Sequence, residues 1–281
     1  MTAWVSGIGE SFGQDNKNNY FGPLTGYHVN TGGFTAGIDG MFADYFYAGA
    51  LGGYTYSHLH WQDHKGTGNI SSGYAGLYLS ALGLGEMFYG NASIIGSWSE
   101  YNADRHIEYG SVNLLAKNSH GGSQLLTHLD SGLNLHYLGL TIRPFDSLDY
   151  ISQIENGYKE HNAGQWDLAV KKTNAIMLRN ELGIQLAKCY CFFKSKWIVS
   201  PKLSWVREVR IKGDDFHVKF AEAPPSFLIK GYFPDRSLFA PGIAFTGLMF
   251  QDSLTFDLYY NGEFTSGYSN NNYGGQVKYS F

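Results

Sequence analysis

The 281-residue chain has no apolar run approaching the roughly 18 residues that a membrane-spanning helix needs, so a helical membrane protein is excluded. Charge is also sparse, with Asp, Glu, Lys and Arg at 16% against about 25% in an average soluble domain. The 24 acidic and 20 basic side chains form no long run of one sign, and the net charge of -4 makes nucleic acid an unsuitable partner. Cysteine is limited to Cys189 and Cys191, too few for a disulfide framework. As Cys-Tyr-Cys they could form half of a metal site, but no second Cys/His pair is apparent, and they read as turn residues. No Gly-x-Ser-x-Gly elbow, phosphate loop or zincin helix occurs, so neither a cofactor nor a metal is expected. A charged n-region followed by an apolar h-region is missing as well, and Met1 runs straight into a strand-like stretch.

What the chain has is aromatic side chains and glycine: 21 Tyr, 19 Phe, 6 Trp and 36 Gly, with only 7 Pro. A mean hydropathy of -0.24 would suit a soluble protein. A membrane barrel escapes that test, because its strands alternate an apolar lipid face with a polar lumen face and the average cancels. Period-2 patterns recur along the whole length, and twelve strands are predicted at 3–12, 28–41, 45–58, 72–83, 87–100, 126–140, 148–159, 175–188, 196–208, 238–250, 254–265 and 273–281. In 254–264, Leu254, Phe256, Leu258, Tyr260 and Phe264 share one face, opposed by Thr255, Asp257, Tyr259, Asn261 and Glu263. In 196–205, Trp197, Val199, Leu203 and Trp205 oppose Ser200, Lys202 and Ser204, although Pro201 counts against a central ladder position. In 176–186, Ile176, Leu178, Leu182, Ile184 and Leu186 oppose Arg179, Glu181 and Gln185. Charge at interior strand positions fits a polar lumen better than a packed sandwich core.

Connection lengths alternate too. Short turns are predicted at Ala43-Asp44, Gly83-Leu84-Gly85, Arg143-Pro144-Phe145-Asp146 and Gln251-Asp252-Ser253, with long polar loops near 13–23, 59–71, 101–125, 160–174 and 209–237. That alternation belongs to outer-membrane barrels, which have tight periplasmic turns, long external loops and both termini in the periplasm. The predicted fold is all-β, a transmembrane antiparallel up-and-down barrel of about 12 strands forming a single domain over residues 1–281.

Several short motifs in this order resemble the autotransporter translocator domain of type V secretion. They are Trp4-Val5-Ser6-Gly7, Gly32-Gly33 with Gly37-Ile38-Asp39, Arg179-Asn180-Glu181-Leu182-Gly183, Pro201-Lys202-Leu203-Ser204-Trp205, Tyr260-Asn261-Gly262-Glu263-Phe264 and the terminal Val277-Lys278-Tyr279-Ser280-Phe281. The resemblance implies a bacterial outer-membrane anchor that exports an N-terminal passenger, not an enzyme. It also implies a linker helix and passenger ahead of the first strand, and with Met1-Thr2-Ala3 leading directly into Trp4 the chain reads as the barrel alone. The partners implied are outer-membrane lipid and lipopolysaccharide, the barrel-assembly machinery and the passenger itself, with the barrel a monomer. In the family a C-terminal assembly signal ends on an aromatic, and Gly275, Val277, Tyr279 and Phe281 fill it here.

Face assignment nominates Asp39, Asp130, Arg179, Glu181, Lys202, Asp257 and Glu263 as lumen-lining polar residues. Some family members cut the passenger free with a lumenal carboxylate at an Asn-Asn junction, but Asn18-Asn19 and Asn270-Asn271-Asn272 read as loops. His58, His60, Asp63 and His64 could gather imidazoles, yet they read as interfacial residues beside Trp61. A stand-alone porin-like channel is the alternative reading. An outer-membrane hydrolase is a third, with His128 and Ser131 the nearest pair and no motif around them.

Overall fold

The computed structural model describes residues 1–19, 22–83, 85–192, 195–213, 215–221, 225–230 and 235–281. Twelve long strands form one closed antiparallel sheet. They are β1 (Thr2–Gln14), β2 (Tyr27–Ala43), β3 (Phe46–Trp61), β4 (Gly66–Gly83), β5 (Phe88–Tyr109), β6 (Val112–Leu133), β7 (Leu140–Glu155), β8 (Thr173–Phe192), β9 (Ser195–Lys212), β10 (Arg236–Met249), β11 (Leu254–Thr265) and β12 (Tyr268–Ser280). Each pairs with the next, and β12 returns to β1 in a continuous register from Thr2↔Ser280 to Gln14↔Tyr268. The Met1 ammonium donates to the Phe281 carbonyl and the Phe281 N–H to the Met1 carbonyl, both at 3.0 Å, so pairing reaches the termini. Closure leaves no edge in the wall and satisfies its backbone internally, as lipid requires.

Alternation places Val5, Phe34, Ile38, Leu77, Ile94, Leu129, Leu182, Leu203 and Leu258 on the outside, all exposed. Among the described residues eleven polar or charged side chains are buried and only seven apolar ones. That inverts the soluble pattern and requires an apolar solvent outside. The shared abundance of Tyr and Gly has a packing cause. Tyr78 lies over Gly49, Tyr74 over Gly53, Tyr89 over Gly132 and Tyr259 over Gly274, places where any Cβ would overlap the ring.

Several sequence expectations change. The loop expected at 101–125 is ladder: β5 and β6 run 22 residues each and meet at a two-residue turn containing Gly110, φ 58°. The loop at 59–71 shrinks to residues 62–65. Arg143-Pro144-Phe145-Asp146 lies inside β7, and the turn is instead at Leu138-Gly139, whose φ values of 48° and 72° suit a tight hairpin. Pro144 keeps its place because it pairs with Ile184 on one side, while on the other the ladder skips from Ile142↔Leu135, on the short strand Leu135–Tyr137, to Phe145↔Gly132 of β6, where its missing N–H would point. Pro201 does the same, pairing with Ile243 while the β8 ladder skips it. Asn270-Asn271-Asn272 belong to β12, and Cys189 and Cys191 to β8 rather than to a turn. Leu84 in the second expected turn, and parts of the loops expected at 13–23 and 209–237, lie outside the described residues.

Both termini sit at one end of the barrel, here termed proximal. At the distal end, a four-stranded sheet of Tyr158–Lys159, Leu168–Val170, Asp215–Phe220 and Ser226–Lys230 extends the wall above β7 to β10.

Candidate functional site

The lumen carries a connected polar belt. On β2, Asp39 is buried and accepts the Tyr78 hydroxyl at 2.8 Å, with Lys278 of β12 3.7 Å away. Tyr78 accepts in turn from the Trp4 indole at 2.8 Å, tying β1, β2 and β4 together. Asp130 accepts both bonds of the Asn91 amide at 3.1 Å and lies 3.7 Å from His128. The other ring nitrogen of His128 meets Asp149 of β7 at 2.5 Å.

From Asp149 the belt continues to Arg179 of β8 at 4.0 Å, which lies 3.7 Å from Glu181 and donates to Glu263 of β11. Since β9 and β10 separate β8 from β11 in the wall, the Arg179–Glu263 bond is a chord across the lumen. Glu181 also accepts from Lys202 at 2.8 Å and from the Ser204 hydroxyl at 2.6 Å. Asp257 accepts from Thr246 of the neighbouring strand at 2.5 Å. The structure therefore joins Asp130, Arg179, Glu181, Lys202 and Glu263 through His128 and Asp149, and leaves Asp39 and Asp257 in separate local contacts.

Sequence reasoning missed several lumenal groups. Glu208 is buried and shares the parity of Ser204, a signal already available at the last residue of the strand predicted over 196–208. Arg236 lies 4.3 Å over the Tyr268 ring and donates to Gln14 at 3.0 Å, in a stretch that had been read as loop. Glu10 was hidden because Gly7 and Gly9 blur the alternation of β1.

The distal mouth is two-sided. Val206, Leu238, Ala240 and Tyr268, with Phe12, pack an apolar cluster against β9, β10, β12 and β1. On the facing side a cavity of about 680 Å³ opens, lined by Trp61, Ile70, Tyr101, Arg105, His120 and Tyr158. Arg105 holds the 156–172 segment over it, donating to both Glu160 oxygens at 2.9 and 2.5 Å and to the Trp166 carbonyl at 3.1 Å. His120 is stacked between Tyr101 and Tyr158 with centroids 5.0 and 4.3 Å away. Burial, then the nearby Glu160 and Glu155, push the Tyr158 phenol up to about 12, so it is neutral at ordinary pH.

The remaining candidates do not assemble. His128 faces the lumen and Ser131 the outside, so they form no hydrolytic pair. His58 bonds Asn69 at 2.8 Å on the outer rim, and no group of three potential metal ligands occurs among the described residues. Gly275, Val277, Tyr279 and Phe281 share the outward face of β12, with Leu258 closing over Gly275 and the Tyr279 and Phe281 rings 6.2 Å apart.

A protein-family model described as Autotransporter beta-domain matches residues 3–261. Among solved structures, the translocator domain of autotransporter NalP from Neisseria meningitidis aligns over 100% of this chain and 89% of its own, with a TM-score of 0.73 at 13% identity. The β domain of the Bordetella autotransporter BrkA covers 99% of both chains with a TM-score of 0.68 at 16% identity. The transport unit of AIDA-I from Escherichia coli aligns over 100% of this chain and 91% of its own, with a TM-score of 0.66 at 13% identity. No curated protein sequence matches.

Proposed function

Since the chain belongs to the autotransporter β-domain family, we propose that it is the outer-membrane translocator that anchors a passenger polypeptide and lets it reach the cell surface. The observation that carries this reading is the closed twelve-strand wall around a polar lumen, with a cavity of about 680 Å³ at its distal mouth. Twelve strands lie between the filled interior of about eight and the open channel of about sixteen, room for a helix or an extended chain. The activity is transport; the lumenal acids are engaged by Arg, Lys, His, amide and hydroxyl groups and serve to line the route.

Both termini are assigned to the periplasm. Tight proximal turns such as Leu138-Gly139 and the added distal sheet fit the usual asymmetry of short periplasmic and elaborate external connections. Partners follow from this placement: the passenger, the barrel-assembly machinery and the lipids of the outer membrane.

The experiment places an export signal and a reporter ahead of Met1 and applies protease to intact cells. Cleavage of the reporter outside, with the barrel inserted, is expected. An inserted barrel with its reporter retained in the periplasm would favour a passive channel instead.

A further inference from the structure

We propose that Cys189 and Cys191 form a labile disulfide at the proximal mouth of the lumen, a site for thiol–disulfide exchange. The oxidising compartment at that mouth rests on the outer-membrane reading; the bond itself rests on the geometry of β8. These are the two cysteines of the chain, both free and both exposed. Arg179 and Glu181 face the lumen, and the ladder from Gln185↔Lys202 to Phe192↔Ser195 keeps one register, so the same face carries Cys189 and Cys191. The other face carries Leu182, Ile184, Leu186, Tyr190 and Phe192, all exposed on the outside. Cys191 is the next-to-last residue of β8, which sets the thiols at the rim by which a polypeptide would enter.

Two positions apart on a strand, the side chains point the same way, and the two thiols are close enough to interact. At an antiparallel rise of about 3.4 Å per residue, their Cα atoms stand roughly 6.8 Å apart. That is the upper end of the ~4.4–6.8 Å that disulfides span and beyond the preferred ~5.5–6 Å, so closure requires β8 to shorten locally. The strand is pliable at this point. The β7 ladder ends at Leu140↔Lys188, so among the described residues β8 is held from Cys189 onward by β9 alone. Beyond Tyr190↔Trp197 only Cys191↔Lys196 and Phe192↔Ser195 remain to be disturbed. A bond closed against the extended strand carries strain, and strained, exposed disulfides are the readily reduced ones.

A structural zinc site takes about four ligands. Among the described residues no group of three or more His, Cys, Asp or Glu able to hold a metal occurs, and Lys196, opposite Cys191, is committed to Asp252 at 2.6 Å. The pair therefore suits exchange with another disulfide. One cysteine thiolate attacks a donor R–S–S–R and releases R–S⁻; the second attacks the mixed disulfide at the first cysteine's sulfur and releases another R–S⁻. The two thiol protons end on the released thiols, and the cysteine pair loses the two electrons that the donor gains. The periplasm is kept oxidising by disulfide donors of this class. In reverse, the same steps pass the strained bond to two thiols of a chain held at the mouth.

The test equilibrates the full chain, folded in detergent, with mixtures of reduced and oxidised glutathione, blocks the free thiols and reads the intact mass. Loss of two hydrogens without a glutathione adduct, reversed by dithiothreitol, is expected. Cys189→Ser and Cys191→Ser should each abolish that loss and give a single glutathione adduct instead. The bond should form with an equilibrium constant at least about tenfold lower in the folded chain than in the same chain unfolded in guanidinium, where no strand holds the cysteines apart. Two glutathione adducts on the parent, disulfide-linked dimers, or thiols that stay free in excess oxidised glutathione would each overturn the site. Equal constants in the folded and unfolded chain would overturn its lability. Heat-modifiable gel mobility checks that each variant is folded, and protease protection in phosphatidylcholine vesicles tests membrane insertion independently of any thiol.

Discussion

On the outer face, Asp146 of β7 accepts the Asn180 amide at 2.7 Å, and both side chains project where lipid is expected. Their depth follows from the pairing register. Ser131, Gly90 and Ala81 link Asp146 to Phe46 beside the proximal turn, and Leu182, Trp205 and Phe239 link it to Phe264 near the distal end, four pairings each way. With strands about 4.8 Å apart and tilted about 40°, each step changes height by about 3 Å, so Asp146 sits about 12 Å from either ring, at the midplane. Asp146→Leu should therefore raise the unfolding free energy in vesicles by ~1 kcal/mol, and Leu77→Arg, a fully outward site, should lower it by about 2–4 kcal/mol. Denaturant titration followed by tryptophan fluorescence checks both; a stabilising Leu77→Arg would mean that the face assignment is reversed. In the lumen, Arg179→Met strips the cation from Asp149, Glu181 and Glu263. A loss of about 2–3 kcal/mol is expected in the same titration, below the 3–5 of a dry ion pair because lumenal water screens what remains. Period 2 made such lumenal residues readable wherever large apolar side chains mark the other face, as around Arg179 and Asp257. It failed at Glu10, between glycines, and at Arg236, where a strand start resembled loop.

At the scale of the element, polar composition near strand ends misled the sequence reading. Asn, Ser, His and Gly in 101–125 look like loop residues, but β5 and β6 carry them up beyond the apolar band, where both faces of a strand can be wet. Proline misled in the same way at Pro144, since one ladder can be interrupted without ending the strand. The count of strands and their faces survived these errors because each depends on alternation within the apolar band rather than on where a strand ends. For β12 we propose a role in assembly beyond its part in closing the wall. Until it meets β1, its edge is free for augmentation by an assembly factor, and its outward face ends in Tyr279 and Phe281, 54% and 69% exposed. Deleting Phe281 removes one pair of terminal hydrogen bonds of the many that join β12 to β1. The expected outcome is a sharp fall in barrel inserted in cells with nearly unchanged refolding in detergent. Equal insertion of the truncated chain in cells would leave Phe281 as one interfacial aromatic among others.

For the whole molecule, an apolar exterior, a polar interior and a closed ladder were all implied by composition and alternation. The two-sided distal mouth was not, because it depends on which loop folds inward: Glu160 and Trp166 meet Arg105 across residues distant in sequence. That asymmetry leaves a route bounded by the polar belt and opening toward the cavity beside Trp61 and Tyr101. The most direct test traps a polypeptide in that route. With Cys189 and Cys191 replaced by Ser, a single cysteine is placed in a reporter segment ahead of Met1 and another at Asp257, on the lumenal face, or at Leu258, on the outward face. Oxidant added during export should give a disulfide-linked, surface-exposed intermediate with Asp257→Cys and none with Leu258→Cys. Trapping at Leu258 but not at Asp257 would contradict passage through the lumen.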